Sequence, residues 1–334
     1  MGGVRVLHVA GYGVRLGARG WSLVVEGPEG RSTVPLSEVD VVVVATSGVS
    51  ISSSALRRML RAGVELVVLD SRGDPVGLLY SSHYTRTPAT RRAQYEAYRD
   101  WRGLMVVEEV ASAKIESQAC HLEHLALRTG ERWLSREAER LRAKAEEAVE
   151  AVRGAGGVEE ARRRAMRVEA EAARRYWGSL ASIMPRELGF EGRSQEAPDP
   201  FNAALNYGYG ILYSLAWRAL VLAGLDPYAG FLHVDRSGKP VLAFDYVEVF
   251  RVAAVDAPLV EAVLRGWRPR FDGAQGRLSP GDRERVAVEV KERLSRAARG
   301  AYRSMSLEEA VRSYALNLAS ALRDGRRWSA YRGC

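Results

Sequence analysis

The sequence predicts an α+β protein, a small β-rich N-terminal domain followed by a larger all-α domain, on three observations. Residues 1–80 hold short β-branched or apolar runs divided by Gly-, Pro- and Asp-containing turns. From about residue 95 the composition turns to long segments rich in Ala, Leu, Glu and Arg, the residues that favour helix. At 334 residues the chain has room for two cores.

Strands are expected at residues 4–10, 21–26, 39–45, 64–70 and 76–80, with turns at Gly27-Pro28-Glu29-Gly30 and Ser71-Arg72-Gly73-Asp74-Pro75. One short helix, 53–62, interrupts them, with serines available to cap it. Gly11-Tyr12-Gly13 and Gly17 resemble a phosphate loop, but strand signals follow and no helix, so they read as a hairpin turn. The first domain is placed at 1–80, with dimerisation as its expected role, and the polar segment 81–94 reads as a linker. The helical domain, 95–334, opens with helices at 95–128, 132–153 and 158–183, the last two divided by Gly154-Ala155-Gly156-Gly157. Another helix is expected at 202–223, and the chain after Asp245 is largely helical. No internal repeat is found.

Hydrophobic residues make up 47% and charged residues 27%, which describes a globular chain and excludes a disordered one. No basic segment followed by an apolar run and small-residue cleavage site opens the chain, so no signal peptide is expected. The apolar stretch 203–225 is interrupted by Asn206, Ser214 and Arg218 and reads as a core helix, not a membrane span. Two cysteines are too few for a disulfide framework, and a reducing, cytoplasmic setting is expected. Cys120, His121 and His124 share a helix but have no second ligand pair at zinc-site spacing, so they read as a partly exposed helix face. The net charge of +8 rests almost wholly on arginine, with lysine only at 114, 144, 239 and 291. The guanidinium fork suits phosphate oxygens, so a polyanionic partner is expected.

Three places hold candidate chemistry. In 158–183 the apolar residues recur at three-to-four spacing, and Glu169 falls on or beside that stripe, where a carboxylate needs a cation, hydrogen bonds or a metal. The alternative is a boundary residue paired with an arginine. His233 closes Gly230-Phe231-Leu232-His233, where the chain leaves a helix and turns, either as a ligand or as a satisfied structural histidine. Asp245 and Glu248 lie three apart, on one face if helical, and also fit a capping pair with Asp245 as the N-cap. Two carboxylates and an imidazole suit Mg²⁺ or Mn²⁺ and phosphodiester chemistry.

Resemblance singles out this trio. The run Asn202-Ala203-Ala204-Leu205-Asn206-Tyr207-Gly208-Tyr209-Gly210-Ile211-Leu212-Tyr213, then Asp226-Pro227-Tyr228, Gly230-Phe231-Leu232-His233 and Asp245-Tyr246-Val247-Glu248-Val249-Phe250-Arg251, resembles the CRISPR-associated spacer-acquisition integrase, the catalytic subunit of the CRISPR adaptation complex. Glu169, followed by Ala172-Ala173-Arg174-Arg175-Tyr176-Trp177, is similar to that family's first metal-ligand motif, with Ala170 where Gly is common. The resemblance implies Glu169, His233 and Glu248 as metal ligands for Mg²⁺ or Mn²⁺, and Asp245 as an auxiliary carboxylate. It implies a homodimer joined by a small ferredoxin-like subunit, acting on double-stranded and branched DNA. A DNA 3′-hydroxyl would attack a repeat phosphodiester, inserting a short segment, and related chemistry would cleave branched DNA. Arg174, Arg175, Arg268 and Arg270, interleaved with Tyr176, Trp177, Trp267 and Phe271, are the expected DNA contacts. Two other readings compete, a structure-selective DNA repair nuclease and a metal-free DNA-binding scaffold. The tail beyond about Ala315 carries no match.

Overall fold

The computed structural model describes residues 6–28, 30–69, 75–81, 88–272, 277–298 and 304–334. The expected turn at Ser71-Arg72-Gly73-Asp74, the first two residues of strand 4–10, Glu29 and residues 82–87 of the expected linker lie outside them. The chain divides into two compact units, Met1–Thr85 and Arg86–Cys334.

The first unit holds two four-stranded sheets. In one, β1 (Val6–Val9), β5 (Val41–Val44) and β7 (Glu65–Leu69) run parallel, and β8 (Pro75–Leu79) returns antiparallel. β5 is four valines because it is buried on both faces, Val42 and Val44 in one apolar cluster and Val41 and Val43 in another. The other sheet orders β4 (Gly30–Pro35), β3 (Ser22–Gly27), β2 (Arg15–Arg19) and β6 (Ser50–Ile51). α1 (Ser53–Arg61) is capped by Ser52, whose hydroxyl accepts from the Ala55 amide, and it buries Met59 in the core. The hairpin turn expected at Gly11–Gly17 lies elsewhere: β2 pairs with β3, and Gly11 and Gly13 carry the chain from one sheet to the other.

In the second unit α2 (Pro88–Ala97) begins where the linker was expected, so residues 88–94 are helical. Buried Ala93, Gln94 and Ala97 give it an inner face that the polar composition conceals. The helix expected at 95–128 is two helices. Asp100 caps α3 (Trp101–Thr129) by accepting from the Arg102 amide, which ends α2 and starts a new axis. α3, α4 (Arg132–Arg153) and α5 (Val158–Ile183) pack together on their alanine-rich faces. α6 (Pro200–Leu222) is the apolar helix expected at 203–225, buried in this core, and no described helix is long and apolar enough to cross a membrane. α7 (Val241–Arg251) runs into one turn of π-helix, Val252–Asp256, and then α8 (Ala257–Leu264). A two-stranded ribbon, β9 (Phe271–Asp272) and β10 (Arg277–Leu278), precedes α9 (Pro280–Ser295) and α10 (Leu307–Asp324).

Past α10 the tail folds back along α3. Trp328 is buried, the Ala330 amide donates to Glu109 at 2.9 Å, and Arg332 pairs with Glu116 at 2.8 Å. Cys334 is disulfide-bonded to Cys120 across 214 residues of sequence. The two cysteines, too few for a disulfide framework, are thus paired with each other, against the reducing setting expected, because the tail's own packing carries residue 334 to α3.

Candidate metal centre

α5, α7 and the loop between α6 and α7 bring the predicted residues to one region, around a side chain of α3. Glu169 and Glu248 both reach the Lys114 ammonium, at 2.5 Å and 2.7 Å. Glu248 is 2% exposed, and its other oxygen meets Arg251 at 2.7 Å, one helical turn on. Asp245 and Glu248 sit inside α7, whose N-cap is Pro240, so the capping alternative fails. Asp245 instead caps the neighbouring loop. Its carboxylate accepts from the amides of Phe231 (2.6 Å), Leu232 (2.9 Å) and His233 (2.9 Å). Those bonds satisfy a wholly buried charge. They require close backbone approach, which Gly230 permits: a Cβ there would run into Val241 and lie 2.9 Å from Asp245 Oδ2.

The same carboxylate accepts from His233 Nδ1 at 2.7 Å, which fixes the tautomer and leaves the Nε2 lone pair for a ligand. Burial works against charge on His233, but the Asp245 bond and the nearby Glu248 charge outweigh it and raise its pKa. Glu248 is also penalised by burial, yet Arg251, Lys114 and His233 hold it down to about 2. Lys114 is partly buried, which works against its charge, but Glu248 and Glu169 keep its pKa above the ordinary value. The centre is therefore a dense set of opposite charges, in which Glu248 meets an ammonium and a guanidinium and Glu169 reaches the same ammonium.

These donors suit a hard divalent cation: two carboxylates and one imidazole held by a third carboxylate, Asp245. Lysine occupies the middle of the set. Its ammonium bridges the two carboxylates, and the donor atoms of Glu169, His233 and Glu248 do not all come within 4.8 Å of one another. Among the described residues a trio that does is Cys120, His124 and Cys334.

Beside Lys114 and Glu248 opens a cavity of about 460 Å³ that Arg174, Arg193, Arg251 and Trp177 also line. Asn202 and Asn206 of α6 hold the Arg193 guanidinium, at 3.0 and 2.5 Å, and it lies over the Tyr209 ring with Arg251 on that ring as well. The π-turn lengthens the helix by a residue and brings Asp256 to the same cavity wall. Burial pushes the Asp256 carboxyl up to about 6, although Tyr209 donates to it at 2.6 Å. Arginines on an open cavity next to clustered carboxylates can take a phosphate and a cation side by side.

The family model described as CRISPR associated protein Cas1 matches residues 7–292. The chain belongs to the Cas1 family. A CRISPR-associated endonuclease Cas1 of Pyrobaculum aerophilum is 39% identical over 313 residues, covering 94% of this chain and 99% of its own length. That of Hyperthermus butylicus is 38% identical and covers 95% of each. In fold the chain is similar to a Cas1 protein from Thermotoga maritima, at TM-score 0.80 and 19% identity over 98% of this chain and 99% of that one. It is equally similar to a casposase bound to an integration product, at TM-score 0.83 and 20% identity over 98% and 93%.

Within this Cas1 chain the four predicted arginines separate. Arg174 lines the cavity, whereas Arg175 turns to Glu137 of α4 at 3.2 Å. Arg268 pairs with Glu187 at 2.7 Å, and the exposed Arg270 gives its amide to Asp282. Trp267 and Tyr176 are buried, so neither is a stacking platform; Trp177 reaches the cavity. Sequence reasoning missed Lys114, Arg193 and Asp256. Lys114 is one of four lysines in the chain and sits among buried neighbours of α3, a placement that needs an anionic partner.

Proposed function

We propose that this Cas1 chain is a divalent-metal-dependent DNA endonuclease and integrase that inserts short DNA segments as spacers into a CRISPR repeat by attack of a 3′-hydroxyl on a phosphodiester. One observation carries the reading: Glu169 and Glu248 gather on a single partly buried cation, with an Asp245-held imidazole nearby and an arginine-lined cavity alongside. Glu169, His233 and Glu248 would hold Mg²⁺ or Mn²⁺ once Lys114 swings away. The cation would neutralise charge on the reacting phosphate and lower the pKa of the attacking hydroxyl.

The chain's own residues supply the rest. Asp245 keeps the His233 ring in one tautomer and one orientation. Arg174, Arg193 and Arg251 place positive charge on the cavity where DNA phosphates would lie, and Trp177 offers a face for a base. Lys114, released from the carboxylates, is left with its charge at the mouth of the same cavity.

The casposase likeness in fold supports strand transfer over repair cleavage, because that protein is bound to an integration product. Another fold neighbour belongs to a Cas6-RT-Cas1–Cas2 complex. That complex supports a small partner subunit for this chain; the homodimer, the ferredoxin-like fold of the partner, the action on double-stranded and branched DNA and the cytoplasmic setting are part of the proposal. The test is strand transfer of a short duplex with free 3′ ends into a repeat-bearing plasmid, with Mn²⁺ or with a chelator. Integration should require the metal and be lost in His233→Ala and Glu248→Ala. Metal-dependent cleavage without any strand transfer would favour a repair nuclease, and activity that survives both substitutions would refute the site.

A further inference from the structure

The Cys120–Cys334 region offers a second set of ligands, away from the carboxylates. Cys120 and His124 lie four apart on α3 and so share one face of the helix. The tail adds Cys334, whose sulfur lies 3.4 Å from His124 Nδ1. The three donor atoms all fall within 4.8 Å of one another. A cavity of about 470 Å³ opens beside them, lined by His124, Cys334 and His121, whose buried Nε2 makes no hydrogen bond. The polar wall leaves room for a water as a fourth ligand.

The tail's position does not depend on the sulfur bond alone. Buried Trp328, the Ala330 amide on Glu109, the Gly333 amide on Ser117 and Arg332 between Glu109 and Glu116 all hold it to α3. Opening the disulfide therefore leaves both thiols facing each other and His124. We infer that the dithiol form of this protein binds a thiophilic divalent cation of the zinc class through Cys120, His124 and Cys334, so that the tail is fastened to α3 by a disulfide under oxidising conditions and by a metal under reducing ones.

The steps balance. A small dithiol gives two electrons and two protons to the Cys120–Cys334 bond and becomes a disulfide itself. The cation then displaces the two thiol protons and takes the His124 Nδ1 lone pair. The sulfurs move apart to about 3.8 Å, the edge of a tetrahedron with metal–sulfur bonds of about 2.3 Å. The cavity beside the pair gives them space to do so.

The experiment uses the full chain, reduced with a dithiol, desalted without oxygen and titrated with Co²⁺. A thiolate-to-cobalt charge-transfer band should rise to saturation at one equivalent, fall when Zn²⁺ is added, and be absent from the oxidised protein. Cys334→Ser and Cys120→Ser should each abolish it, His124→Ala should weaken Co²⁺ at least tenfold, and Glu248→Ala should leave it intact. On the wild-type chain, Zn²⁺ should slow alkylation of both thiols at least tenfold. A reduced wild-type protein with no such band, or a band that persists in a folded cysteine variant, overturns the inference. So does alkylation at the same rate with and without Zn²⁺.

Discussion

Asp245 Oδ1 accepts twice from His233, from its amide at 2.9 Å and from its ring Nδ1 at 2.7 Å, so one buried oxygen sets both the backbone and the imidazole of that residue. Asp245→Asn keeps the shape but removes the charge and turns an NH₂ toward one side of the nest of amides. Mn²⁺ affinity should fall roughly 10–100-fold, as for other residues that orient a metal-bound histidine. Electron paramagnetic resonance of free Mn²⁺ during titration reads this directly. An unchanged affinity in the folded variant would show that the Asp245–His233 pair serves the loop and not a metal.

The raised pKa of His233 gives metal binding a pH dependence. Its Nε2 must lose a proton before it ligates, so Mn²⁺ affinity should rise by up to about tenfold per pH unit until the raised pKa is passed. Stability runs the other way. Because the folded value lies above the ordinary 6.5, the stabilisation from charged His233 is fully present below pH 6.5 and is lost as pH climbs through the folded pKa. In chelator, the melting temperature of the wild type should exceed that of His233→Gln most at acidic pH, and the gap should narrow on the alkaline side. A gap independent of pH would remove the charged pair from the account.

Lys114 is the cation of the metal-free centre, and Lys114→Met should expose what it balances. Glu169 and Glu248 would then face each other across a buried gap, at a cost of about 3–5 kcal/mol, the usual penalty for stripping one partner from a buried ion pair. The melting temperature in chelator should drop accordingly. Mn²⁺, no longer competing with the ammonium, should bind more tightly than to wild type and restore most of the loss. Equal Mn²⁺-induced shifts in the two proteins would mean that the lysine and the metal do not share a place.

Arg174 and Arg175 are adjacent in sequence and face different surroundings, cavity against α4. Arg174→Ala should weaken duplex binding at every DNA sequence and lower the slope of log affinity against log salt by about one. Arg175→Ala should leave the slope unchanged, since its charge is already engaged with Glu137 on the surface. Fluorescence anisotropy between low and moderate salt separates the two, and equal slopes for both variants would contradict this division of roles.

The residues that sequence alone made legible are those with a local signature. Four valines bounded by turns announced β5, and serines at the head of a short helical run announced α1. Glu169 was visible as a carboxylate beside an apolar stripe. The role of Asp245 was hidden because its partners, the amides of 231–233, lie on another element, and its spacing to Glu248 imitates a cap. Lys114 was hidden for the same reason: its carboxylates are 55 and 134 positions away along the chain. The end of α2 near residue 97 and the Cys120–Cys334 bond likewise depend on contacts that neither periodicity nor spacing encodes.

The most direct test of the metal centre is a crystal structure of the protein soaked in Mn²⁺, with anomalous diffraction collected at the manganese edge. One strong peak should appear, bounded by Glu169, His233 Nε2 and Glu248, with the Lys114 ammonium moved out toward the arginine-lined cavity. A difference map without a peak there, and with Lys114 still bridging the two carboxylates at saturating Mn²⁺, would contradict that placement of the metal.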